Sequence, residues 1–269
     1  VRLKATFLAT ALAIVQAGCM GEPGAVTPVS AQAAPEGYLS VAEIEALAQT
    51  VPPTPRAGSA EVAADIAASD RLRALQGGDR WLLATRHGEL RPALALSHFD
   101  CALETRLAAA ETPRLVALLE RVMHDANAAA ETAKARAFRP RPVGVDPERV
   151  PCQVVSAASR ASPSYPSGGA TVGAAYGGVF AALAPDRAVQ ALRTGHEIGV
   201  SRAVCAMHYL TDVTAGEALG QAVVRRIEGA PAFRADLAAA TEEVRRARAT
   251  GLTSPACAAE RAALAVPLP

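Results

Sequence analysis

Aromatic side chains are scarce, at 4% of 269 residues. A core must then be built from Ala, Leu and Val. Lysine is nearly missing: Lys4 and Lys134 are the only two among 27 basic residues, and the rest are arginine. Neither sign of charge dominates, with 27 basic against 26 acidic residues, and no basic block occurs. This excludes a binder that depends on the nucleic-acid backbone. C-x-x-C is absent. The two Cys–His pairs three apart, His98 with Cys101 and Cys205 with His208, each fall short of four ligands, so no zinc pattern exists. After the first 18 residues no run is long and apolar enough to cross a bilayer. Strand patterns and internal repeats are also missing.

What is present is apolar and helix-forming. Hydrophobic residues make up 51% of the chain and charged residues 20%, enough to bury a core. Alanine alone is about a quarter, a strong helix bias. Residues 1–18 carry Arg2 and Lys4 ahead of a short apolar run, the pattern of a secretory signal. Two cleavage points are open. Ala17-Gly18-Cys19 resembles a lipoprotein site with Cys19 lipidated, although Gln16 stands where Leu is usual; Ala31-Gln32-Ala33 is an A-x-A site. Residues 19–38 read as a flexible linker and 39–269 as one domain. An exported chain meets oxidising conditions, so Cys101, Cys152, Cys205 and Cys257 suggest up to two disulfides, with three pairings open.

Punctuation residues divide the domain into helices. Ser40 and Glu43 form a capping box whose helix stops before Pro52-Pro53. A second helical stretch covers 59–76 and breaks at Gly77-Gly78, and a third covers 91–110. Thr112-Pro113 reads as a cap and first turn for a helix to about 137, with Leu115, Leu118, Leu119 and Val122 on one face. Six prolines between 139 and 166 make that segment mostly loop. Helix resumes after Ser167, pauses at Pro185-Asp186, continues through the 220s, and closes with 232–250 and 255–264. The fold class is all-α, a single-domain helical bundle.

Three patches carry chemistry. His208 and Asp212 are four apart and share a face if both are helical, so the carboxylate can take the Nδ1 proton and leave the Nε2 lone pair facing out. That describes a general base or a nucleophilic imidazole. Arg202, six residues earlier, lies about 120° away on a regular helix. It converges on His208 only through its long side chain or a helix break. Ser167-Gly168-Gly169 opens a helix with small residues, so their N–H groups form a ready anion site. Lys134 and Arg141 flank the Pro-rich loop. With Arg202 they make three cations around one oxyanion, suited to a tetrahedral phosphate. The mature chain's only lysine sits here, where a compact ammonium reaches an oxygen that a planar guanidinium would not.

Lys134-x6-Arg141-Pro142, Pro166-Ser167-Gly168 and Ser201-Arg202-x5-His208-x3-Asp212 together resemble the signature of the type 2 phosphatidic acid phosphatase superfamily. Within it the chain resembles the bacterial class A non-specific acid phosphatases. The resemblance implies an all-α bundle of the acid phosphatase/vanadium haloperoxidase type that needs no metal or other cofactor and acts on small phosphate monoesters. It also implies His208 as the nucleophile that becomes phosphohistidine, Asp212 as its orienter, and Lys134, Arg141, Ser167, Gly168, Gly169 and Arg202 as the phosphate cradle. The chain departs at Gly169, where the family has the His that protonates the leaving alcohol. General acid catalysis contributes about 10²–10⁴-fold, so the expectation is a weakened enzyme with its greatest losses on alkyl phosphates. His196, Glu197 and His124 are stand-in candidates; otherwise these and His87 and His98 read as surface, capping or packing residues. Rival readings are a non-catalytic phosphate-binding protein and a vanadate-dependent haloperoxidase. A lipid phosphatase is disfavoured by the lack of membrane spans, though a lipidated Cys19 would hold the protein beside a membrane. The expected compartment is the periplasm or the exterior.

Overall fold

The computed structural model describes residues 36–269, so the signal and cleavage readings lie outside the described residues. Among those described every regular element is helical, in agreement with the all-α expectation. In chain order they are α1 (Val41–Gln49), α2 (Ala60–Arg71), α3 (Asp79–His87), α4 (Pro92–Ala95), α5 (Asp100–Leu103), α6 (Pro113–Lys134), α7 (Pro142–Val145), α8 (Ala157–Ala161), α9 (Gly168–Leu183), α10 (Ala188–Val204), α11 (Leu210–Ile227), α12 (Pro231–Ala249) and α13 (Cys257–Ala265). Short 3₁₀ turns follow α2, α4 and α9.

Local signals explain most boundaries. Ser40 and Glu43 close both halves of the capping box on α1, and Ser59 caps α2. Two expectations fail for tertiary reasons. Residues 91–110 do not make one helix; they break into α4, a 3₁₀ turn and α5, which ends with Glu104 in the left-handed region at φ 51°. Buried Asp100 then accepts from Leu107 N–H at 2.9 Å and holds the following loop. Thr112 does not cap α6. Its hydroxyl turns back to Ala108 O at 2.9 Å, and Glu243 of α12 accepts from Arg114 and Leu115 N–H at 3.1 and 2.9 Å instead. Helix α3 went unanticipated, because Gly77-Gly78 read only as a stop; Gly78 is in fact its N-cap residue.

The linker reading also ends too late. Tyr38 is already packed: its N–H donates to Asp125 at 2.7 Å, its hydroxyl to Asp236 at 2.8 Å, and Arg121 stacks over its ring. The domain therefore includes residues assigned to the linker.

Helix α9 is the central rod, with α6, α10, α11 and α12 packed around it. It is apolar on nearly every side, as a fully surrounded helix must be. Ala, Leu and Val fill much of the core, as the composition required, but Phe99, Phe180, Phe233 and Tyr176 are fully buried as well. Phe99 stacks on Phe180 with ring centres 4.0 Å apart. Glycines let the neighbouring backbones touch α9. A Cβ on Gly195 of α10 would sit 2.6 Å from Gly173 O. One on Gly216 of α11 would overlap the Ser167 carbonyl oxygen. Two disulfides, Cys101–Cys257 and Cys152–Cys205, select one of the three open pairings. The first ties α13 to α5. The second ties the Pro-rich loop to the end of α10.

Because the atom opposing residue 216 is backbone, it cannot yield as a side-chain tip would. Gly216→Ala is expected to destabilise the protein by about 1–3 kcal/mol, the usual overpacking range. Urea unfolding checks this, and an unchanged midpoint would show that the α9–α11 seam is looser than its geometry.

Candidate active site

The site lies where α9 begins, α10 ends and α11 begins, and where α6 runs into the Pro-rich loop. Helix α10 stops at Val204. Cys205 follows, then Ala206 at φ 57°, and α11 starts only at Leu210. A non-glycine residue in the left-handed region costs roughly 1–2 kcal/mol. Val143 N–H, donating to Ala206 O at 3.1 Å, and the Cys152–Cys205 bridge help to hold the reversal in place. Of the two ways that the spacing of Arg202 and His208 left open, a long side chain or a helix break, this is the break. It also means that His208 precedes α11 and does not share a helical face with Asp212.

His208 is 4% exposed. Its Nδ1 lies 2.8 Å from the Ser164 carbonyl oxygen, an acceptor only, so Nδ1 carries the proton. Nε2 then holds the lone pair, and Arg141 Nη1 donates to it at 2.9 Å. The direct Nδ1–H to Asp212 bond expected from the sequence is not made. Asp212 Oδ2 stands 3.8 Å away and reaches the ring's partner through the Ser164 hydroxyl, which donates to it. Burial, reinforced by Arg141 and opposed by Asp212, holds the imidazole down to about 3. It is therefore neutral through the mildly acidic range. Below the ordinary value of about 6.5 the unfolded chain binds a proton that the folded one refuses. This group thus subtracts stability as pH falls from about 6.5 toward 3.

Asp212 is fully buried and occupied on all sides. Its Oδ2 accepts from Tyr209 N–H at 2.7 Å, which caps the start of α11. Its Oδ1 accepts from Arg139 Nη1 at 2.5 Å, and its carbonyl oxygen accepts from Ser167 N–H at 2.9 Å. Arg139 also bonds Thr211 Oγ1 at 2.7 Å and Asp65 of α2 at 2.6 Å, with its guanidinium over the Tyr209 ring. Asp65 in turn accepts from the N–H and hydroxyl of Thr211. Sequence reasoning gave Arg139, Asp65 and Ser164 no such roles. One signal was available: the prolines in Arg139-Pro140-Arg141-Pro142 enforce extended chain. The period of two then puts both arginines on one face, and both are buried with Pro140 exposed between them. Nothing marks Asp65.

The three cations converge. Arg141 spans Met207 O at 2.9 Å, Pro163 O at 3.1 Å and Ser162 Oγ at 3.0 Å, besides His208. Arg202 lays its aliphatic arm over Gly169, where a Cβ would lie 2.9 Å from Cδ, and its Nη1 meets Gln153 Oε1 at 3.3 Å. Lys134, 8% exposed, has Nζ 3.3 Å from the Cβ position of Gly168 and 2.5 Å from Glu131 Oε1. Burial lowers the proton affinity of all three. Arg202 falls to about 10 with Arg141 adding to the effect, and Lys134 is lowered further by Arg141 and Arg202. The cluster is thus an excess of positive charge, buried at Lys134 and Arg141 and half-buried at Arg202. The anion site at α9 is narrower than expected, since Ser167 N–H goes to Asp212 and Ser167 Oγ accepts from Ala170 N–H at 3.2 Å. The N–H groups of Gly168 and Gly169, at the first two helical positions, have no intrahelical acceptor.

None of the three stand-in acids contacts this cluster. His196 pairs with Glu217 at 2.8 Å, Glu197 pairs with Arg80, and His124 neighbours Asp125. His87 and His98 are buried packing residues whose ring centres are 5.2 Å apart. A cavity of about 820 Å³ between α10 and α13 is lined by His87, Glu197 and Glu260 and by none of the clustered cations.

Residues 116–228 match the PAP2 superfamily. An acid phosphatase of Zymomonas mobilis is 33% identical over 202 residues, 75% of this chain and 76% of that protein. A non-specific acid phosphatase of Providencia stuartii is 27% identical over 198 residues, 72% of this chain and 78% of that one. The chain belongs to the PAP2 superfamily. The matched span contains both ends of the site, Lys134 on α6 and Asp212 on α11.

Removing Arg139 would leave two buried carboxylates without their cation. Arg139→Met is expected to cost about 3–5 kcal/mol, as for other broken buried pairs. Double substitution with Asp65→Asn should cost less than the sum of the two singles. Additive losses in a denaturation cycle would show that the clamp is not a coupled unit.

Proposed function

We propose that this PAP2 protein is an exported acid phosphatase that hydrolyses small phosphate monoesters through a phosphohistidine on His208. The observation that carries the reading is the imidazole's orientation: Nδ1–H is tied to Ser164 O, and the Nε2 lone pair points at Arg141, which with buried Lys134 and half-buried Arg202 makes three cations. A phosphoryl group among Lys134, Arg141 and Arg202 replaces their mutual repulsion with attraction, and the Gly168 and Gly169 amides add donors at the positive end of α9. Asp212 acts as the positioning residue by holding Ser164 and the start of α11. Ser167 contributes as the cap that orients the two glycine amides. The depressed imidazole pKa suits acid conditions, where a nucleophile must stay unprotonated while the substrate loses charge. Export fits the signal-like start and the two disulfides, which persist in oxidising compartments. The periplasm or the exterior is the proposed location, with lipidation at Cys19 as a variant of it.

Gly169 favours one second reading, a phosphate binder without turnover, because it offers no proton to a leaving group. Rapid quench with substrate labelled at phosphorus separates the two. The enzyme should trap label on His208 at a yield that stays level from neutral pH down to about 4, since burial keeps the ring neutral there. His208→Asn should trap none. A protein that binds phosphate without forming an adduct is the binder, and a yield that collapses near 6.5 would show an ordinary, exposed imidazole.

The missing acid predicts leaving-group discrimination. p-Nitrophenyl phosphate, whose phenolate leaves unaided, should be hydrolysed much faster than glycerol phosphate. Gly169→His should narrow that ratio. Its Cβ must first displace the Arg202 arm, so Gly169→Ala, which displaces the arm without supplying a proton, is the comparison. Equal ratios in the wild type and both variants would reject the missing-acid account.

A further inference from the structure

Although position 169 has no proton donor, a carboxyl does reach the mouth of the cluster. Glu131 lies one helical turn before Lys134 on α6. Its side chain is 68% exposed, its Oε1 is 2.5 Å from Lys134 Nζ, and the same oxygen is 4.0 Å from the Cβ position of Gly168. An ammonium, a carboxyl and the free N–H end of α9 therefore meet at one point. A second carboxyl near the cluster, Asp212, is fully buried on the Nδ1 side of His208, 3.8 Å from that nitrogen. It is held there by Arg139, Ser164 and Tyr209. In-line displacement puts the leaving oxygen opposite the attacking Nε2. Asp212 is on the wrong side for that oxygen and is never free of its partners.

We propose that Glu131 is this chain's proton donor to the leaving group, in part replacing the side chain that Gly169 lacks. The proposal rests on the phosphohistidine reading above. The bonds balance over two steps. First the Nε2 lone pair forms the N–P bond, and the ester P–O bond breaks with its electron pair going to the leaving oxygen. The substrate monoanion draws Nζ onto its oxygens and passes its acidic proton to the freed Glu131 carboxylate; the leaving oxygen takes that proton as the P–O bond breaks, and the alcohol departs. In the second step a water oxygen attacks phosphorus and gives its proton to the Glu131 carboxylate. The N–P electron pair returns to Nε2, Glu131 passes its proton to the phosphate oxygen, and dihydrogen phosphate leaves. Ester and water become alcohol and phosphate, and both side chains return to their starting forms.

The rest state has Lys134 engaged by Glu131. A phosphoryl group competes for that ammonium. Once its oxygens hold Nζ, the Glu131 carboxyl is released from the ammonium and stands beside the bound group at the mouth of the cluster.

The test is Glu131→Gln in the full chain, assayed on glycerol, p-nitrophenyl and 2,4-dinitrophenyl phosphates, with label trapping on the last. The residue is on the surface of a helix, and a thermal melt verifies folding. The expected result is a loss of about 10²-fold on glycerol phosphate, the low end of general acid catalysis, an intermediate loss on p-nitrophenyl phosphate, and little change on dinitrophenyl phosphate. Adduct formation from dinitrophenyl phosphate should persist. Equal loss on all three would mean that Glu131 acts only by holding Lys134, and no loss would mean that it has no role; either result overturns the proposal. If the wild type itself traps no label, it is the phosphohistidine reading that fails. Label in the wild type with equal losses in the variant leaves that reading standing and removes Glu131 alone.

Discussion

The fully buried carboxylate of Asp212 is the joint on which the site turns. One side chain caps α11 through Tyr209 N–H, receives Arg139 from the Pro-rich loop and receives Ser164 from the approach to α9. Its own carbonyl accepts Ser167 N–H at the head of α9. Three stretches of chain are thereby registered against one another within a few ångströms. A buried carboxylate without partners would cost several kcal/mol. Here every oxygen is engaged, so the arrangement that satisfies the charge also fixes where His208 sits and which nitrogen keeps the proton.

The cation cluster lies across the imidazole from that joint and follows the opposite logic. Arg139 is neutralised by Asp65 and Asp212. Among the described residues, Lys134 pairs with Glu131 at the rim, while Arg141 and Arg202 have no ion pair, and Arg141 feels Asp212 and Glu131 only from beyond contact distance. Burial lowers the proton affinity of each, which expresses in chemical terms that the fold tolerates excess charge at this point. A polyanion that enters relieves this penalty. In the proposed function a phosphoryl group relieves that repulsion, and the glycine seams keep the repulsion from relaxing by movement of the helices. Gly195 and Gly216 press α10 and α11 onto α9, so the ends of those helices cannot drift apart.

How much of this was legible depended on the range of the forces involved. Ser40 with Glu43, Ser59, Ser167 and Pro113 act within a turn of helix, and the boundaries they mark were read correctly. Lys134, Arg141, Arg202 and His208 were readable because their spacing forms three blocks in a fixed order, and the structure gathers them into one place. Failures came where a distant partner overrode a local rule. Thr112 looked like a cap, yet Glu243, some 130 residues away, does the capping. His208 and Asp212 looked like helical neighbours, yet the turn at Ala206 ends the helix before them and hands Nδ1 to Ser164. Asp65 was invisible because a lone aspartate on an amphipathic helix carries no sign that an arginine 74 residues later will need it.

Gly169 shows the same coupling from the other direction. The absent side chain is not simply a gap, because the Arg202 arm lies where a Cβ and its extensions would project. A proton donor at 169 and this placement of Arg202 exclude each other. The chain trades a group that acts on the leaving oxygen for closer packing of a cation that acts on the phosphoryl oxygens. Under the proposed mechanism, such a trade would weaken bond cleavage for poor leaving groups while favouring the bound anion. A carboxyl that supplies the lost proton must then come from a wall that Arg202 does not cover, and α6 is the wall that already carries Lys134 to the same helix end.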